Sequence, residues 1–324
     1  MRALVTGAAG FVGGWLTRAL QADGYAVTAL ALSPHGTTTD TRTADGGALD
    51  WDYGDLRDDA FVKRAVERAA PDVIVHLAAV SHLPTAAADP PFAWDVNVTA
   101  SARLLHQLSQ WRTAHGTDPL VLMVGSAEQY GRHDTVGARL REDSAQAPRT
   151  VYAATKAAQE VLALQCWRAS ALRVVVARSF NHSGRGQDPR FLIPALVARA
   201  VALRDQPRGT PLAVGNTSPI RDFLHVQDVV SAYISLLRHG VPGEAYNVAS
   251  GVGRSVHDVI ARVLARVGVD APLTTDPTLV RPVDVPALVG DPTKLQTATG
   301  WRATRAFDDI IDDIIDDVIH AATH

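Results

Sequence analysis

The sequence has 324 residues, of which 47% are hydrophobic and 20% are charged, a composition typical of a globular chain and unlike that of disordered, collagen-like or disulfide-stapled proteins. Its 31 basic and 34 acidic residues give a formal charge of −3, which does not favour nucleic acid or an anionic membrane as a partner. Cys166 is the single cysteine, and neither a membrane-length apolar run nor a leader pattern is seen. We therefore expect a cytoplasmic protein without nucleic-acid or membrane partners.

Along the first 180 residues, short strand patterns alternate with longer helical patterns. The strand patterns cover Arg2–Thr6, Ala26–Leu32, Val73–Leu77, Leu120–Val124 and Arg173–Ala177. Helix-spaced apolar residues occupy Phe11–Ala22, Asp58–Ala69, Ala93–Trp111 and Tyr152–Ala169. This alternation predicts an α/β fold, a Rossmann-type doubly wound parallel sheet with right-handed crossovers and helices on both faces. Ligands of such sheets bind beyond the carboxyl ends of the strands.

The alternation breaks near residue 180. A stretch punctuated by Gly and Arg (Asn181–Arg190) precedes a predicted helix (Ile193–Arg204) and a later strand (Ala245–Val248). A C-terminal helix over Phe307–His324 carries a stripe of Ile and Val, with Asp pairs on a face that we expect to be solvated. We predict a dinucleotide-binding domain of residues 1–180 plus about 218–249, and a smaller interleaved C-terminal substrate lobe of residues 181–217 and 250–324.

A glycine-rich turn joins the first strand to the first helix. Gly7, Gly10 and Gly13 lie three residues apart between Thr6 and the start of the helical pattern. Glycine permits unusual backbone angles and lets the backbone approach a pyrophosphate, while the helix N-terminus offers unpaired N–H groups and a positive dipole end. Because the glycines follow a strand and open a helix, they predict dinucleotide binding.

The residues after the second strand bear on the choice between NADP and NAD. An acid that binds the adenosine ribose is expected about twenty residues beyond the glycines, but the chain reads Ala29–Ser33 there, without a carboxylate. A 2′-phosphate is then not repelled, although no Arg in this turn holds it, so we favour NADP over NAD. Asp55 and Leu56 follow a third strand-like segment and either contact the adenine or form a polar loop.

Four side chains carry the predicted chemistry. Tyr152 and Lys156 lie four apart on a predicted helix and project from one face. The pKa of an isolated phenol is about 10, and a nearby ammonium favours phenolate, so we expect Lys156 to lower the pKa of Tyr152. Ser126 follows the fourth strand, where its hydroxyl can bind the reacting oxygen. Glu128 can remove a proton next to a carbonyl, which hydride transfer alone does not require.

The histidines show no metal-ligand spacing. His76, His82, His182 and His225 are scattered along the chain, and we expect core or hydrogen-bonding roles and no metal site.

Taken together, these motifs resemble the extended short-chain dehydrogenase/reductase family over essentially the whole chain. They are the Thr6–Gly13 turn, Asp55-Leu56, His76-Leu77-Ala78-Ala79, Asn97, Ser126 and Tyr152-x-x-x-Lys156. The resemblance implies an enzyme that binds NADP or NAD through Gly7, Gly10, Phe11, Val12, Gly13, Asp55, Leu56, Leu77, Ala78, Ala79, Asn97, Tyr152 and Lys156. A non-catalytic NADP-binding sensor of the same fold is the minor alternative, and retention of the Tyr and Lys pair disfavours it.

The second half is similar to enzymes that modify GDP-mannose-type sugars. The similarity lies in Arg178–Gln187, Arg221-Asp222-Phe223, Tyr246-Asn247-Val248 and the tail from Arg281 to Lys294. It implies a substrate site of Ser81, Asn181, Arg185, Arg221 and Arg281, with Asp284 on a ribose hydroxyl. Guanidinium groups suit a diphosphate because they bind phosphate in a forked geometry. The family also implies a homodimer or tetramer, built through a four-helix bundle of the helices Ala93–Trp111 and Tyr152–Ala169.

Two activities of that group compete. The Gly10-Phe11-Val12-Gly13 turn resembles that of the reductases of GDP-4-keto-6-deoxy-mannose, because the 4,6-dehydratases usually carry Gln-Asp in place of Phe11-Val12. The layout of Ser126 and Glu128 resembles that of the dehydratases. We favour an NAD(P)H-dependent reductase that acts at C4 of a GDP-linked sugar, with a GDP-mannose or GDP-heptose 4,6-dehydratase holding NADP tightly as the alternative.

Overall fold

The computed structural model describes residues 1–34, 49–131, 137–280 and 285–322. Its strands are β1 (Arg2–Thr6), β2 (Ala26–Ala31), β3 (Asp50–Tyr53), β4 (Val73–His76), β5 (Leu120–Ser126), β6 (Arg173–Ser179), β7 (Asn181–Ser183), β8 (Leu212–Val214), β9 (Ile220–His225), β10 (Ala245–Val248), β11 (Gly253–Ser255), β12 (Leu273–Thr275) and β13 (Ala287–Leu288). Seven of them form a parallel sheet in the order β10-β6-β5-β4-β1-β2-β3. This order confirms the predicted doubly wound sheet and puts its switch point between β1 and β4.

The α-helices are α1 (Phe11–Ala22), α2 (Asp59–Ala69), α3 (Leu83–Ala88), α4 (Pro90–Trp94), α5 (Ala100–His115), α6 (Val151–Ser170), α7 (Leu192–Ala202), α8 (Val226–His239), α9 (Val256–Val267), α10 (Thr293–Thr299) and α11 (Phe307–Ala322). Short 3₁₀ segments cover Ala127–Tyr130, Leu203–Asp205 and Pro277–Leu279, and Asp95–Thr99 is a π-helical turn. Within the described residues, no helix combines the length and apolarity needed to cross a membrane.

Helices cover both faces of the central sheet. Strand β4 reads Val-Ile-Val-His and is buried along its whole length, as expected for a parallel strand covered on two sides. On one face, α1 and α8 pack through residues such as Leu16 and Leu236. On the other, α2, α5 and α6 pack through residues such as Phe61, Leu105 and Ala163. This two-sided burial leaves the carboxyl ends of the strands as the edge where a ligand reaches the fold.

The chain forms a smaller structure after β6. Among the described strands after β6, β10 is the one that pairs with the central sheet. Strands β11, β9 and β13 form a second sheet, to which β7 adds beside β9, and β8 pairs with β12. Helices α7, α9 and α11 cover this part with their own apolar cluster, including Leu196, Ile260 and Ile311. The predicted division into two domains remains a prediction, since β9 and β10 join different sheets within one short stretch of chain.

Several predicted boundaries are wrong in ways that matter for the site. Strand β5 continues to Ser126, two residues past the predicted end, and the Asn181–Arg190 stretch includes β7. The helix predicted over Ala93–Trp111 is interrupted by the π-helical turn before α5 begins. An extra residue in such a turn rotates the following helix relative to the preceding one, and π-turns often mark functional sites.

The acidic face of α11 is partly solvated, as expected, and it also carries ion pairs that the sequence did not predict. Asp308 and Asp312 pair with Arg262 and Arg266 of α9. On the same helix, Asp313 Oδ2 lies 2.8 Å from Nε2 of the buried His225. These three acids therefore bind α11 to its neighbours, because each has a basic or polar partner on another element.

Side chains cover the outer edge of β10, the last strand of the central sheet. The Asn247 N–H donates to Glu142 Oε1 over 2.7 Å, and Lys294 Nζ donates to the carbonyl oxygen of Ala245 over 2.7 Å. An uncovered edge strand would offer these groups to another chain. Here they are satisfied from within the protein.

Candidate functional site

The glycine turn brings the start of α1 against the end of β4. Gly7 has φ +68°, and a Cβ there would lie 2.8 Å from the backbone nitrogen of Ala78. A Cβ on Gly13 would lie 2.4 Å from the Gly7 carbonyl oxygen. Gly10 caps α1 without a side-chain hydrogen bond, so a ligand can meet the first amide groups of the helix. A dinucleotide diphosphate fits this cradle, because the turn excludes side chains while the helix offers N–H donors.

Next to the turn lies a cavity of about 290 Å³. It contains five predicted cofactor residues, Gly7, Asp55, Leu56, Ala78 and Ala79. Arg57 also lines it, as expected if Asp55-Leu56-Arg57 contacts the adenine, and so do Leu30, Ala31 and Leu32, from the segment where a ribose-binding acid was sought. Sequence reasoning did not assign a role to the other lining residues, which are Gly54, Val80, Phe92 and Val96. The cavity has the apolar walls and few polar groups of a nucleoside site, so the predicted cofactor residues and the structure agree on its place.

The rim of this cavity is set by an Asp–Arg pair. Arg57 donates from Nε and Nη2 to Asp55 Oδ2 over 3.0 and 2.7 Å, and its guanidinium lies 5.1 Å from the centre of the Phe92 ring. The hydrogen bond from Arg57 holds the pKa of Asp55 below its usual value. Leu32, which stands where an acid was sought, is 71% exposed. A 2′-phosphate therefore meets no carboxylate from the end of β2.

Three predicted catalytic side chains converge at the carboxyl end of β5. Ser126 ends the strand and caps the short helix after it, accepting from the Glu128 N–H over 3.2 Å. Its side chain is also hydrogen-bonded to Tyr152 of α6, and Glu128 lies close enough for its charge to act on that phenol. The strand supplies the hydroxyl, the 3₁₀ turn the carboxylate and α6 the phenol, so residues 26 positions apart meet at one point.

The pKa of the Tyr152 phenol differs from the predicted one. Burial raises the pKa of Tyr152 to about 12, with the negative charge of Glu128 acting in the same direction and the Ser126 hydrogen bond opposing both. The predicted lowering of this pKa by Lys156 is wrong for the described residues, because burial outweighs any effect of the ammonium. At neutral pH the phenol is therefore in its protonated form.

Lys156 is buried beneath Tyr152. Its Nζ donates to the Val124 carbonyl oxygen over 2.7 Å and to Gln159 Oε1 over 2.9 Å. Desolvation lowers the pKa of Lys156 to about 7. Within the described residues these two bonds use two of the three ammonium protons, so the third is available to a bound cofactor ribose.

Asn97 lies in the π-helical turn and is fully buried. Its Oδ1 accepts from the Val80 N–H over 2.7 Å, and its Nδ2 donates to the Val80 carbonyl oxygen and to Thr155 Oγ1. It thus joins the segment after β4 to the helix that carries Tyr152. Whether it also contacts the cofactor, as the resemblance implies, stays a prediction.

A buried ion pair that sequence reasoning did not single out supports this cluster. Arg178 of β6 donates from Nε and Nη2 to Glu160 of α6 over 2.9 and 2.5 Å, with side chains that are 6% and 3% exposed. Gln129 Nε2 donates to the same carboxylate, while its Oε1 accepts from the Ser126 N–H. The sequence signal was present, since Glu160 is one turn beyond Lys156 on the face that carries Tyr152.

The described members of the predicted substrate set are spread over both parts of the fold. Asn181 begins β7 and lies opposite Phe223 in β9. Arg221 is 7% exposed and donates from Nη1 to the Val285 carbonyl oxygen over 2.7 Å. Ser81 is exposed beyond the end of β4. Arg281 and Asp284 lie outside the described residues.

Arg185, also predicted to hold the substrate, instead pairs with α11. Its Nε lies 3.3 Å from Asp317 Oδ1, and Asp317 Oδ2 accepts from the Gly186 N–H over 2.9 Å. The carbonyl oxygen of Arg185 accepts from Trp15 Nε1 over 3.1 Å. In this arrangement Arg185 fixes its loop between α1 and α11, and a direct contact with diphosphate stays a prediction.

Phe11 of the glycine turn stacks on His182 of β7, with ring centres 6.3 Å apart. Together with the Trp15 bond, this contact joins the predicted cofactor turn to the predicted substrate segment. Another cavity, of about 640 Å³, lies beside β10 and α10, and none of the described residues that line it is a predicted site residue. Among the described residues no group of three His, Cys, Asp or Glu side chains is arranged to hold a metal ion.

A doubly wound sheet with a glycine turn at its switch point, a nucleoside cavity beside it and a Ser–Tyr–Lys cluster defines a dinucleotide-binding protein of the extended short-chain dehydrogenase/reductase class. The chain belongs to the GDP-mannose 4,6-dehydratase family, whose model matches residues 4–314.

Relatives and solved structures agree with that assignment. The GDP-6-deoxy-D-mannose reductase of Pseudomonas aeruginosa is 33% identical over 301 residues, which are 93% of this chain and 91% of the relative. The structure of RMD from Pseudomonas aeruginosa complexed with NADPH superposes with a TM-score of 0.83 and 29% identity, covering 99% of this chain and all of that one. The structure of the Thermus thermophilus UDP-glucose 4-epimerase complexed with NAD superposes with a TM-score of 0.85 and 27% identity, covering 99% of this chain and all of that one.

Proposed function

We propose that this chain is an NADPH-dependent reductase of a GDP-linked 4-keto-6-deoxy hexose of the mannose type. The observation that carries the proposal is the protonated phenol of Tyr152, hydrogen-bonded to Ser126 at the carboxyl end of the sheet whose glycine turn lines the cofactor cavity. A reductase must donate a proton to the carbonyl oxygen, and a phenol whose pKa is about 12 is in the donating form at neutral pH. The similarity to a GDP-6-deoxy-D-mannose reductase supports the same choice.

The mechanism follows from these side chains. When bound, NADPH supplies the hydride that reduces the keto carbon. The Tyr152 hydroxyl donates its proton to the C4 oxygen, and Ser126 orients that oxygen with a hydrogen bond. Lys156 would hold the cofactor ribose with its remaining N–H, and its positive charge would stabilise the phenolate that forms as Tyr152 gives up its proton. Positioning of the two reactants supplies much of the rate gain, because it converts an encounter in solution into a step within one complex.

A second activity is favoured by one observation. Glu128 lies against Tyr152, where a carboxylate could remove the C5 proton of a 4-keto intermediate. The alternative is therefore a 4,6-dehydratase of GDP-mannose or of GDP-heptose, with NADP kept in place through the whole cycle. Such an enzyme consumes no reductant.

One assay separates the two activities. Purified protein is incubated with GDP-mannose without added reductant, and separately with GDP-4-keto-6-deoxy-mannose and NADPH. We expect NADPH to be consumed only with the keto sugar. Accumulation of a 4-keto product from GDP-mannose would instead establish the dehydratase and overturn the reductase as the main activity.

Glu128→Gln sharpens that result. We expect the variant to keep most of the reductase activity, because proton donation by Tyr152 does not require a carboxylate, and to remove any dehydratase activity. Glu67→Gln, a change in an exposed side chain of α2, is the control. Equal loss of reduction and dehydration in Glu128→Gln would show that Glu128 has another role in the site.

We further propose NADP as the cofactor, a homodimer or tetramer, and a cytoplasmic location. The absence of an acid at Leu32 supports the first. The second rests on family resemblance and on the outer face of α6, where Val161 is 64% exposed. Light scattering of the protein and of Val161→Glu tests it: we expect a dimer or larger assembly that the variant weakens, and a monomer at working concentration would contradict the proposal.

A further inference from the structure

A chain of buried polar side chains runs from the glycine turn to Lys156. Its members are Thr6 at the end of β1, His76 at the end of β4, Ser101 of α5 and Gln159 of α6. All four are fully buried. The links measure 2.7 Å from Thr6 Oγ1 to His76 Nδ1, 2.8 Å from His76 Nε2 to Ser101 Oγ, and 2.7 Å from Gln159 Nε2 to Ser101 Oγ.

The donor and the acceptor of each hydrogen bond in this series follow from the partners at its two ends, Lys156 and Thr6, and from the partner of Ser101 in the middle. Lys156 has only protons to offer, so Gln159 must accept with Oε1 and donate with Nε2. The Ser101 hydroxyl donates its one proton to the Asn97 carbonyl oxygen over 2.7 Å, so it accepts from both Gln159 and His76. The proton of the imidazole therefore lies on Nε2.

The other end of the chain is consistent with this assignment. His76 Nδ1 carries no proton and accepts from the Thr6 hydroxyl, whose oxygen in turn accepts from the Ala78 N–H over 3.2 Å. The Thr6 hydroxyl, the His76 Nε2–H and the Ser101 hydroxyl each have an acceptor, as buried polar networks require. Burial and the charge of Lys156 lower the pKa of His76 to about 3, so His76 stays neutral and adds no second positive charge beside the ammonium.

We propose that Thr6, His76, Ser101 and Gln159 are positioning residues that hold the Lys156 ammonium in its working place and join it to the backbone around the glycine turn. Ala78 lies against Gly7 and lines the nucleoside cavity, so the series spans the cofactor site from its adenosine side to its catalytic side. The value of this arrangement for reduction rests on the proposed function, whereas the arrangement itself does not.

Gln159 is the residue at which to test this hydrogen-bonded series, because it is the member of the series that contacts Lys156. Gln159→Met keeps side-chain length and removes the acceptor, so the charged form of Lys156 loses a partner. Gln159→Glu supplies a carboxylate instead. The titratable group whose charge interacts with Lys156 is His76 on β4, and the other partner of Lys156 is the Val124 carbonyl of β5. Tyr152 lies one turn earlier on α6.

The chain has three lysines, Lys63, Lys156 and Lys294, so the side-chain resonances of ¹⁵N-labelled lysine are readily assigned and followed against pH. We expect the Lys156 midpoint to fall by about one pH unit in Gln159→Met and to rise by a similar amount in Gln159→Glu, the size expected for a hydrogen bond to a charged group. Gln165→Met, on the exposed side of the same helix, is the matched control and should not move it. Unchanged midpoints in both Gln159 variants would overturn the proposal.

A second measurement does not depend on any variant. Imidazole ¹⁵N shifts of the parent protein should show His76 as the Nε2-protonated neutral form throughout the neutral pH range, and titration of His76 there or a proton on Nδ1 would overturn the assigned direction. If the protein reduces the keto sugar, the alkaline limb of its kcat profile should move with the Lys156 midpoint. If the protein shows no reductase activity while the Lys156 midpoints shift as expected, the proposed function fails, but the positioning role of Thr6, His76, Ser101 and Gln159 is supported.

Discussion

The catalytic and the substrate halves of the site are built in different ways. Around Tyr152 and Lys156, side chains from strand ends and one helix are buried, and their partners lie on neighbouring elements of the same sheet. Around Arg185, the chain is held by loops and by a partly exposed ion pair with α11. Buried groups must be satisfied by geometry that tolerates little change, whereas exposed pairs contribute little each. Chemistry is therefore fixed in the first half, and adjustment to different sugars is left to the second.

Replacing the phenol should give the largest effect on turnover. We expect Tyr152→Phe to lower kcat by roughly 100- to 10,000-fold, the range for loss of a general acid, while NADPH affinity stays close to that of the parent. Stopped-flow and steady-state assays of NADPH consumption measure kcat, and fluorescence titration measures the affinity for NADPH. Tyr25→Phe, at the opposite edge of the sheet before β2, is the control. Retained turnover in Tyr152→Phe would remove this residue from the mechanism, whereas a parent protein that binds NADPH without turning over any sugar nucleotide would favour a sensor.

Breaking the buried ion pair should give the largest effect on stability. Glu160→Gln leaves the Arg178 charge buried with a weaker partner, and we expect a loss of about 3–5 kcal/mol in the free energy of unfolding. The surface counterpart is Asp308→Asn, which weakens the exposed pair with Arg262 and should cost less than about 1 kcal/mol. Urea unfolding of both variants measures the contrast. Equal losses would show that burial does not set the difference between the two halves.

The glycine turn offers a graded test of the cofactor site. We expect Gly13→Ala to weaken NADPH binding by roughly 10- to 100-fold, because the added methyl group meets the Gly7 carbonyl and costs about 1–3 kcal/mol. Gly10→Ala should have a smaller effect, since its Cβ would lie 3.2 Å from the same oxygen. Fluorescence titration with NADPH gives both constants, and circular dichroism checks the fold. The reverse order of affinities would contradict the geometry of the turn.

The smallest expected effect concerns Arg185. If it fixes its loop through Asp317, then Arg185→Ala and Asp317→Asn should each raise KM for the sugar nucleotide only a few-fold, as for an exposed pair, and the double variant should add little. If Arg185 binds diphosphate directly, Arg185→Ala alone should raise KM by more than about tenfold. Steady-state kinetics of the three variants decides between these outcomes. We expect the first, and a large effect confined to Arg185→Ala would restore its predicted role as a ligand.

The sequence predicted the catalytic side of the site better than the rest. The strands, the glycine turn and the meeting of Ser126, Glu128 and Tyr152 could be predicted, because period, spacing and the rule for parallel sheets place them without knowledge of distant contacts. The π-helical turn at Asn97 could not, since the helix around it has too few apolar residues for a shift of one position to be recognised in their spacing.

The errors have a physical cause in common. The pKa of Tyr152 rises through burial, which a sequence does not show, although the i, i+4 spacing of Tyr152 and Lys156 was correctly identified. The partners of the α11 acids, such as Arg262 and His225, lie 46 to 88 residues away. Pairings over such separations depend on how loops return to the fold, and no local pattern encodes them.

The covered edge of β10 has a consequence for assembly. A strand from another chain could pair there only by displacing Glu142 and Lys294 from the backbone groups that they occupy, and it would gain no net hydrogen bonds in exchange. Growth of the central sheet across subunits is thus closed on this side, because a second copy that approaches β10 meets backbone groups that already have partners.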